Sequence, residues 1–180
     1  MITPGQVAEA VAALDAGELV LFGADTVYGL ACRPGNEDKL AAIKGRDPGK
    51  PNALMAFSVE AAGPLLGEAG AAATLLPGPV TLVLPSGAGL RVPALAPEAA
   101  ALAAIPGLVS QTSANRSGEP APARLEDVGP ELLAAAAVVL DAGPLPGIAS
   151  TVVDLRGPRW EILRAGAVDE HALAATLGPH

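Results

Sequence analysis

Six polar clusters carry the side chains that could do chemistry. They combine Lys and Arg cations with short hydroxyls and an Asn, at residues 25–29, 44–51, 77–81, 113–118, 150–151 and Arg164. Each follows or borders an apolar segment, and ligands of open α/β sheets collect at strand ends. A turn or a helix cap explains any one cluster alone. Together they supply phosphate-binding cations without a protein nucleophile, which favours a reaction between bound substrates.

Motifs for metal or covalent chemistry are missing. His171 and His180 have no Cys or acid at metal-ligand spacing, so no metal site made by protein alone is predicted. The chain has no G-x-S-x-G elbow, and Cys32 has no evident His partner. The stretch "RDPGKP" is not a phosphate loop, because Lys44 stands at the first Gly position and Pro51 replaces the Ser or Thr.

Composition limits the class of protein. The 180 residues are 51% hydrophobic, which predicts one domain over residues 1–180. The net charge of −8 argues against a protein that wraps nucleic acid, although a local basic pocket is compatible with it. The lone Cys excludes an internal disulfide, and no secretory or membrane-spanning segment is evident. We therefore expect a cytoplasmic protein.

Helix and strand patterns alternate along the chain. Thr3-Pro4 and Asn36 begin two helices, and further helical segments are predicted at 59–73, 97–104, 124–136 and from Asp169. Seven apolar segments are typical of strands: "ELVLFG", "NALMAF", "PGPVTLVLP", "GLVSQTS", "AVVLDA", "STVVDL" and "WEILRAG". This order predicts an α/β domain with a mixed twisted sheet of about seven strands, flanked by helices.

The polar clusters resemble one known family. "ADTVYGLAC", "KGRDPGKP", "LPGPVTLVLP", "SQTSANRSG", "STVVDL" and "ILRAG" occur in the order, and near the spacing, of the YrdC family. This family includes the threonylcarbamoyl-AMP synthases of tRNA modification. The resemblance runs from about residue 15 to residue 168 and implies the short, single-domain form, with an open concave substrate cleft.

The resemblance implies a reaction and its residues. L-threonine, bicarbonate and ATP, with Mg²⁺ accompanying the ATP, would give L-threonylcarbamoyladenylate and pyrophosphate. Lys44 and Arg46 match the catalytic pair of the family. The positions that resemble ATP contacts are Lys44, Arg46, Lys50, Asn115 and Arg164. Those that resemble threonine contacts are Thr26, Arg91, Ser113 and Ser150.

Some positions depart from the family pattern, and other functions stay open. Ala24 stands where a hydroxyl is usual, Asp47 follows the Lys-x-Arg pair in place of Pro, and Ala123 replaces a frequent hydroxyl residue. The alternatives are a double-stranded-RNA-binding or translation-associated paralogue without synthase activity, and a carbamoyl-transfer role. The resemblance also implies a downstream tRNA-modifying complex as partner, with weak RNA binding possible and no membrane.

Overall fold

A computed structural model describes residues 1–45, 47 and 52–178. Over these residues the α-helices are α1 Pro4–Asp15, α2 Glu37–Lys44, α3 Val59–Ala62, α4 Pro64–Glu68, α5 Pro130–Ala135 and α6 Glu170–Leu177. The strands are β1 Leu19–Gly23, β2 Tyr28–Cys32, β3 Ala53–Met55, β4 Val80–Val83, β5 Gly89–Arg91, β6 Val109–Ser113, β7 Ala136–Leu140, β8 Thr151–Asp154 and β9 Glu161–Arg164. Short 3₁₀ segments span Gly70–Leu75, Pro97–Ala104 and Leu125–Asp127.

All nine strands described belong to one mixed sheet, in the order β7-β1-β2-β6-β3-β5-β4-β8-β9. Three neighbouring pairs are parallel: β1 with β7, β3 with β5, and β4 with β8. The other neighbours are antiparallel. The predicted α/β class with a mixed sheet is therefore confirmed, and the sheet has two strands more than predicted.

Local sequence signals set the ends of the first two helices. Thr3 and Gln6 form a reciprocal capping box, in which Gln6 N donates to Thr3 Oγ1 and Thr3 N donates to Gln6 Oε1. Helix α2 has acids in its first turn and ends at Gly45, which adopts left-handed dihedrals. These signals place Lys44 at the last residue of α2, within hydrogen-bonding distance of the end of β6.

Two strands and one helix differ from the prediction. The two strands that sequence patterns missed are β2 and β5, so the residues after Asp25 and Thr26 form a strand and not a capped helix. The single helix predicted over 124–136 is wrong. It divides into the 3₁₀ turn Leu125–Asp127 and α5, because Gly129 is extended and Pro130 cannot donate the hydrogen bond that a continuous helix needs.

Three apolar clusters form the core around this sheet. One joins α1 to β1 and includes Phe22 and Phe57, whose rings meet edge to face with centroids 5.2 Å apart. The second joins α6 to β4 and β5, and the third packs α2 and α5 against β2. No helix in the described part of the chain is long and apolar enough to cross a membrane.

Candidate active site

A cavity of about 770 Å³ lies over the central strands β4, β5, β6 and β8. It brings together six of the residues predicted from the sequence, namely Lys44, Arg91, Ser113, Asn115, Ser150 and Arg164. Thr26 is buried beside the cavity and is not among the residues that line it. Arg46 and Lys50 lie outside the described residues, so their predicted roles stay predictions.

Strand register divides the cavity into two ends. One row of paired residues crosses the sheet: Gln111, Ala53, Gly89, Val83 and Asp154. On one side of this row lie Arg91 and Thr81 with Ser150, and we call this side the Arg91 end. On the other side lies Ser113, which contacts Lys44, and we call this the Lys44 end. The substrate-facing surface thus has two different sets of polar groups.

A buried ion pair organises the Arg91 end. Arg91 and Asp25 form a salt bridge in which each side chain is only 6% exposed. Arg91 Nη2 also donates to Thr26 Oγ1 at 2.5 Å, and Asp25 Oδ2 accepts from Ala94 N at 3.1 Å. Burial raises the pKa of the Asp25 carboxyl, and the Arg91 charge opposes this shift. Asp25 and Thr26 therefore hold the guanidinium in one orientation.

The contacts of Arg91 leave part of its guanidinium for a ligand. Asp25 and Thr26 use both N–H groups of Nη2. Among the described residues, Arg91 Nε has no hydrogen-bond acceptor although it is buried. Unsatisfied buried donors are uncommon in folded proteins, and each one calls for an explanation such as a missing ligand. An acid bound in the cavity would supply that acceptor with small movements of the side chain.

Hydroxyl groups from two distant segments meet beside Arg91. Thr81 Oγ1 and Ser150 Oγ are 2.8 Å apart and buried. Arg164 Nη2 donates to Ser150 O at 2.8 Å and to Ser150 Oγ at 3.1 Å. The structure thus places Arg164, predicted to contact ATP, against Ser150, predicted to contact threonine. Both predictions are compatible with a site in which the two substrates adjoin.

Gly166 allows the Arg164 segment to approach Ser150. A Cβ at position 166 would lie 2.5 Å from the Ser150 carbonyl carbon and closer still to the Ala149 oxygen. No residue with a side chain fits there without a backbone shift, so the "RAG" sequence is a packing requirement of the site.

The Lys44 end is built on the turn that follows β6. Lys44 Nζ donates to Ser113 O at 2.5 Å and to Asn115 O at 2.7 Å. The Asn115 amide donates to Arg116 O at 2.8 Å and to Glu119 O at 2.7 Å, which closes the loop over residues 115–119. Lys44 is 6% exposed and still lines the cavity. The carbonyls of residues 113 and 115 therefore hold the Lys44 ammonium at this end of the cavity.

The departures from the family pattern fall at different places. Ala24 is 2% exposed and lines the cavity, so the missing hydroxyl leaves an apolar patch in the wall. Ala123 is half-buried and does not line the cavity, and Asp47 is exposed. Of the three positions, Ala24 is the one that shapes the cavity.

Sequence reasoning left without a role Asp25, which contacts Arg91 beside the cavity, and two residues that line the cavity. Asp25 and Thr81 stand inside polar clusters that the sequence singled out, but their partners are 66 and 69 residues away. Arg156 lines the cavity and forms a bidentate pair with Asp154, at 2.8 and 2.6 Å. No local signal marks Arg156, because it follows a strand in an ordinary hairpin.

Comparison with known proteins places these clusters in a family. Residues 12–166 match the family model Sua5_yciO_yrdC, described as telomere recombination. The chain belongs to this family. The predicted YrdC membership is thereby confirmed over most of the sequence.

Relatives agree with the family assignment. A threonylcarbamoyl-AMP synthase of Bacillus subtilis is 33% identical over 97% of this chain and 57% of its own length. A threonylcarbamoyl-AMP synthase of Alkalilimnicola ehrlichii is 34% identical over 78% of this chain and 84% of its own. The crystal structure of P. abyssi Sua5 complexed with L-threonine superposes with a TM-score of 0.83 at 26% identity, covering 99% of this chain and 59% of that one. The chain thus spans less than two thirds of some relatives.

Proposed function

We propose that this YrdC-family chain is a threonylcarbamoyl-AMP synthase, which makes L-threonylcarbamoyladenylate and pyrophosphate from L-threonine, bicarbonate and ATP. The observation that carries the proposal is the buried Arg91, held by Asp25 and Thr26 with an unsatisfied donor beside the cavity. A fixed guanidinium of this kind suits an amino-acid carboxylate, which it binds by paired, charge-assisted hydrogen bonds. The relatives named above support the same activity.

Threonine occupies the Arg91 end in this proposal. Its carboxylate pairs with Arg91, and the hydroxyls of Thr81 and Ser150 are the nearby polar groups that can bind its own hydroxyl or amine. Thr26 acts through Arg91, since its oxygen accepts from Nη2. The L-threonine complex of P. abyssi Sua5 supports an amino-acid site in this fold.

The nucleotide lies along the rest of the cavity, with its phosphates toward the Lys44 end. Lys44 and Arg164 supply positive charge within reach of the cavity, and Glu119 is the acid that lines it among the described residues. No cluster of acidic or metal-ligating side chains occurs in the described part of the chain. Magnesium therefore enters as Mg-ATP, held by phosphate oxygens and water.

All the reacting groups belong to the substrates. The threonine ammonium first loses a proton, the resulting neutral amine attacks the bicarbonate carbon, and loss of water leaves a carbamate. A carbamate oxygen then forms a bond to the α-phosphorus, and the bond from that phosphorus to the bridging oxygen breaks, so the electron pair leaves with pyrophosphate. The protein positions the reactants and stabilises charge on the phosphates. A cavity that limits water protects the carbamate.

The instability of the adenylate product bears on where and by what it is used. The adenylate hydrolyses in water, so we propose direct use by a downstream tRNA-modifying complex in the cytoplasm. Direct RNA binding is weak in this proposal, because the chain carries a net charge of −8.

A release assay tests the proposed function. Purified protein with γ-labelled Mg-ATP is expected to release pyrophosphate when L-threonine and bicarbonate are both present, and not when either is left out. Arg91→Ala should abolish release at subsaturating threonine, whereas Arg124→Ala, at an exposed pair with Glu126, should leave it unchanged. A folded wild type that shows no threonine-dependent release would refute the synthase function and leave the RNA-binding paralogue as the alternative.

A further inference from the structure

We propose that Thr151 is a positioning residue of the active site, because its hydroxyl fixes the backbone that carries Arg164. The inference rests on the proposed function, in which Arg164 supplies positive charge to the nucleotide. Thr151 follows Ser150 in the "STVVDL" motif, and the proposed reaction does not use its side chain.

Thr151 lies on the side of the sheet that faces away from the cavity. Side chains alternate between the two faces along a strand. Ser150 and Val152 line the cavity, whereas Thr151 and Val153 do not line it and are fully buried. Val153 belongs to the apolar cluster that joins α6 to β4 and β5. Any effect of Thr151 on the substrates therefore passes through other residues.

The Thr151 hydroxyl binds both backbone groups of Val168. Its Oγ1 donates to Val168 O at 2.6 Å and accepts from Val168 N at 2.9 Å, and we call these two hydrogen bonds the Thr151 clasp. Residues 165–168 belong to no helix or strand, so no regular ladder supplies partners for their backbone. One side chain thus satisfies the donor and the acceptor of a residue that lies 17 positions later in the chain.

The clasp completes a set of contacts along the backbone that follows Arg164. At the start of this segment, Arg164 pairs with Val152 in the β8–β9 ladder. Farther along, Ala167 N donates to Ala149 O at 2.9 Å, and Gly166 lies too close to the same stretch of backbone to carry a side chain. The clasp then ties the end of the segment to β8, so the segment is held at both ends.

Arg164 depends on this backbone for its orientation. Its guanidinium donates to Ser150 O and Ser150 Oγ, and within the part of the chain that the structure describes no acid forms a salt bridge with it. Arg91 and Arg156, by contrast, are each held by an aspartate. An arginine side chain has many rotamers, so its charge stays in one place only when its backbone and its partners are fixed.

Thr151→Val removes the clasp with little change of side-chain shape. Val168 N and Val168 O lose their partner, the segment 165–168 is released, and Arg164 shifts relative to Ser150. Calorimetric titration with Mg²⁺ and the β,γ-imido analogue of ATP should therefore show an affinity about tenfold weaker than that of the wild type, as expected when a charged hydrogen bond is lost. Thr151→Ser keeps the hydroxyl and should bind the analogue as the wild type does.

Two comparisons separate positioning from a loss of stability. Thr74→Val is the matched control, because Thr74 Oγ1 also donates to a backbone carbonyl, at 2.8 Å, and Thr74 does not line the cavity. In an Arg164→Ala background, Thr151→Val should cause no further loss of affinity, since the clasp acts through Arg164. Each titration is made at a temperature at which thermal unfolding shows that the variant is folded.

Hydrogen exchange of the wild type tests the clasp without any variant. A nucleotide that is bound by Arg164 must also stabilise the clasp, because coupling between two sites is reciprocal. The Val168 amide should therefore exchange more slowly when Mg²⁺ and the analogue are bound. The amide of Gly17, which bonds to Leu14 O after α1, is the reference and should slow less.

Several results would overturn the role of Thr151. They are wild-type affinity in Thr151→Val, an equal loss in Thr151→Ser or in Thr74→Val, a further loss in the Arg164→Ala background, and a Val168 amide that slows no more than that of Gly17. Wild-type affinity in Arg164→Ala, or no analogue binding by the wild type, would also overturn it. The expected losses of affinity without threonine-dependent release of pyrophosphate would refute the synthase function and leave the role of Thr151 standing.

Discussion

Two arginines that line the cavity form ion pairs with aspartates, and the two pairs differ in sequence separation and in exposure. Asp25 and Arg91 come from segments 66 residues apart, and their side chains are 6% exposed. Asp154 and Arg156 are two residues apart, and Arg156 is 53% exposed. When one partner of a buried pair is removed, the remaining charge is left without water or a counter-charge. When one partner of an exposed pair is removed, water solvates the remaining charge. The same two residue types are therefore expected to contribute much more to stability at the buried pair than at the other.

The largest effect is expected when the buried pair is broken on the acid side. Asp25→Leu leaves the Arg91 guanidinium buried without a carboxylate, and an arginine cannot lose its proton. We expect the free energy of unfolding to fall by about 3–5 kcal/mol. Arg91→Met should cost less, because burial already raises the pKa of Asp25 and this carboxyl can take up a proton. Urea unfolding of both variants measures the difference.

The sign of the pH dependence is a further check on the Arg91→Met variant. Its folded state holds a proton on Asp25 at pH values where the unfolded state has lost it. The variant should therefore gain stability as the pH falls through the raised pKa of Asp25. The double variant Asp25→Leu/Arg91→Met should be closer to wild type than Asp25→Leu. An equal loss of unfolding free energy in Asp25→Leu and Arg91→Met would contradict the expectation that the buried guanidinium is the costlier group to leave unpaired.

Loss of Lys44 is expected to affect catalysis more than folding. Lys44→Met removes the charge at the end of the cavity where the phosphates are proposed to lie. Turnover should fall about 10²–10³-fold, as it does when one charge-stabilising donor is lost from an active site. Pyrophosphate release at saturating substrates measures this. Lys39→Met, on the same helix and paired with Glu18 at the surface, is the control and should keep full activity. A similar loss in both variants would point to damage to α2.

Gly166→Ala should disturb the Arg91 end through packing alone. The added methyl group overlaps the backbone at residues 149 and 150, so we expect a loss of stability of about 1–3 kcal/mol. The KM for threonine should rise, because Ser150 and Arg164 move apart. Gly67→Ala is the control, since a Cβ there meets nothing within 4 Å. Thermal unfolding measures the stability of both variants, and activity at increasing threonine concentration measures their KM. A Gly166→Ala protein with the wild-type stability and KM would show that the close approach is unimportant.

The smallest effect concerns the Asp154–Arg156 pair, in which the Arg156 side chain is 53% exposed and the Asp154 side chain 13%. The hydrogen bonds from Arg156 lower the pKa of Asp154 from its usual 3.8 to about 2. The pair's contribution to stability is therefore present above pH 3.8 and is lost as the pH falls through the folded value. In Arg156→Ala the Asp154 pKa should return toward 3.8 with little change in unfolding free energy. NMR titration of the Asp154 carboxyl carbon measures this pKa in the wild type and in the variant. The same midpoint in both would mean that Arg156 does not form the hydrogen bonds to Asp154 in solution.

Prediction from sequence succeeded where local signals suffice. Thr3-Pro4 and Gly45 mark helix ends through the hydrogen bonds that their own neighbours make, and seven strands have strong apolar patterns. Strands β2 and β5 were missed because glycine interrupts the first and the second has only three residues. Their strand character comes from pairing with β1, β6, β3 and β4. The prediction of one helix over 124–136 was wrong because it gave more weight to the Ala- and Leu-rich segment than to the Gly-Pro break.

By itself the sequence determined the class of fold, the family and six of the polar residues that line the cavity, because these residues stand in short motifs that are recognisable without the structure. Only the tertiary structure decided what those residues touch. Asp25 and Thr26 hold Arg91, Thr81 contacts Ser150, and Arg156 lines the cavity. The first two contacts join segments more than sixty residues apart, and the place of Arg156 depends on how β8 pairs with β4. Such contacts are set by strand register across the sheet, which no local pattern specifies.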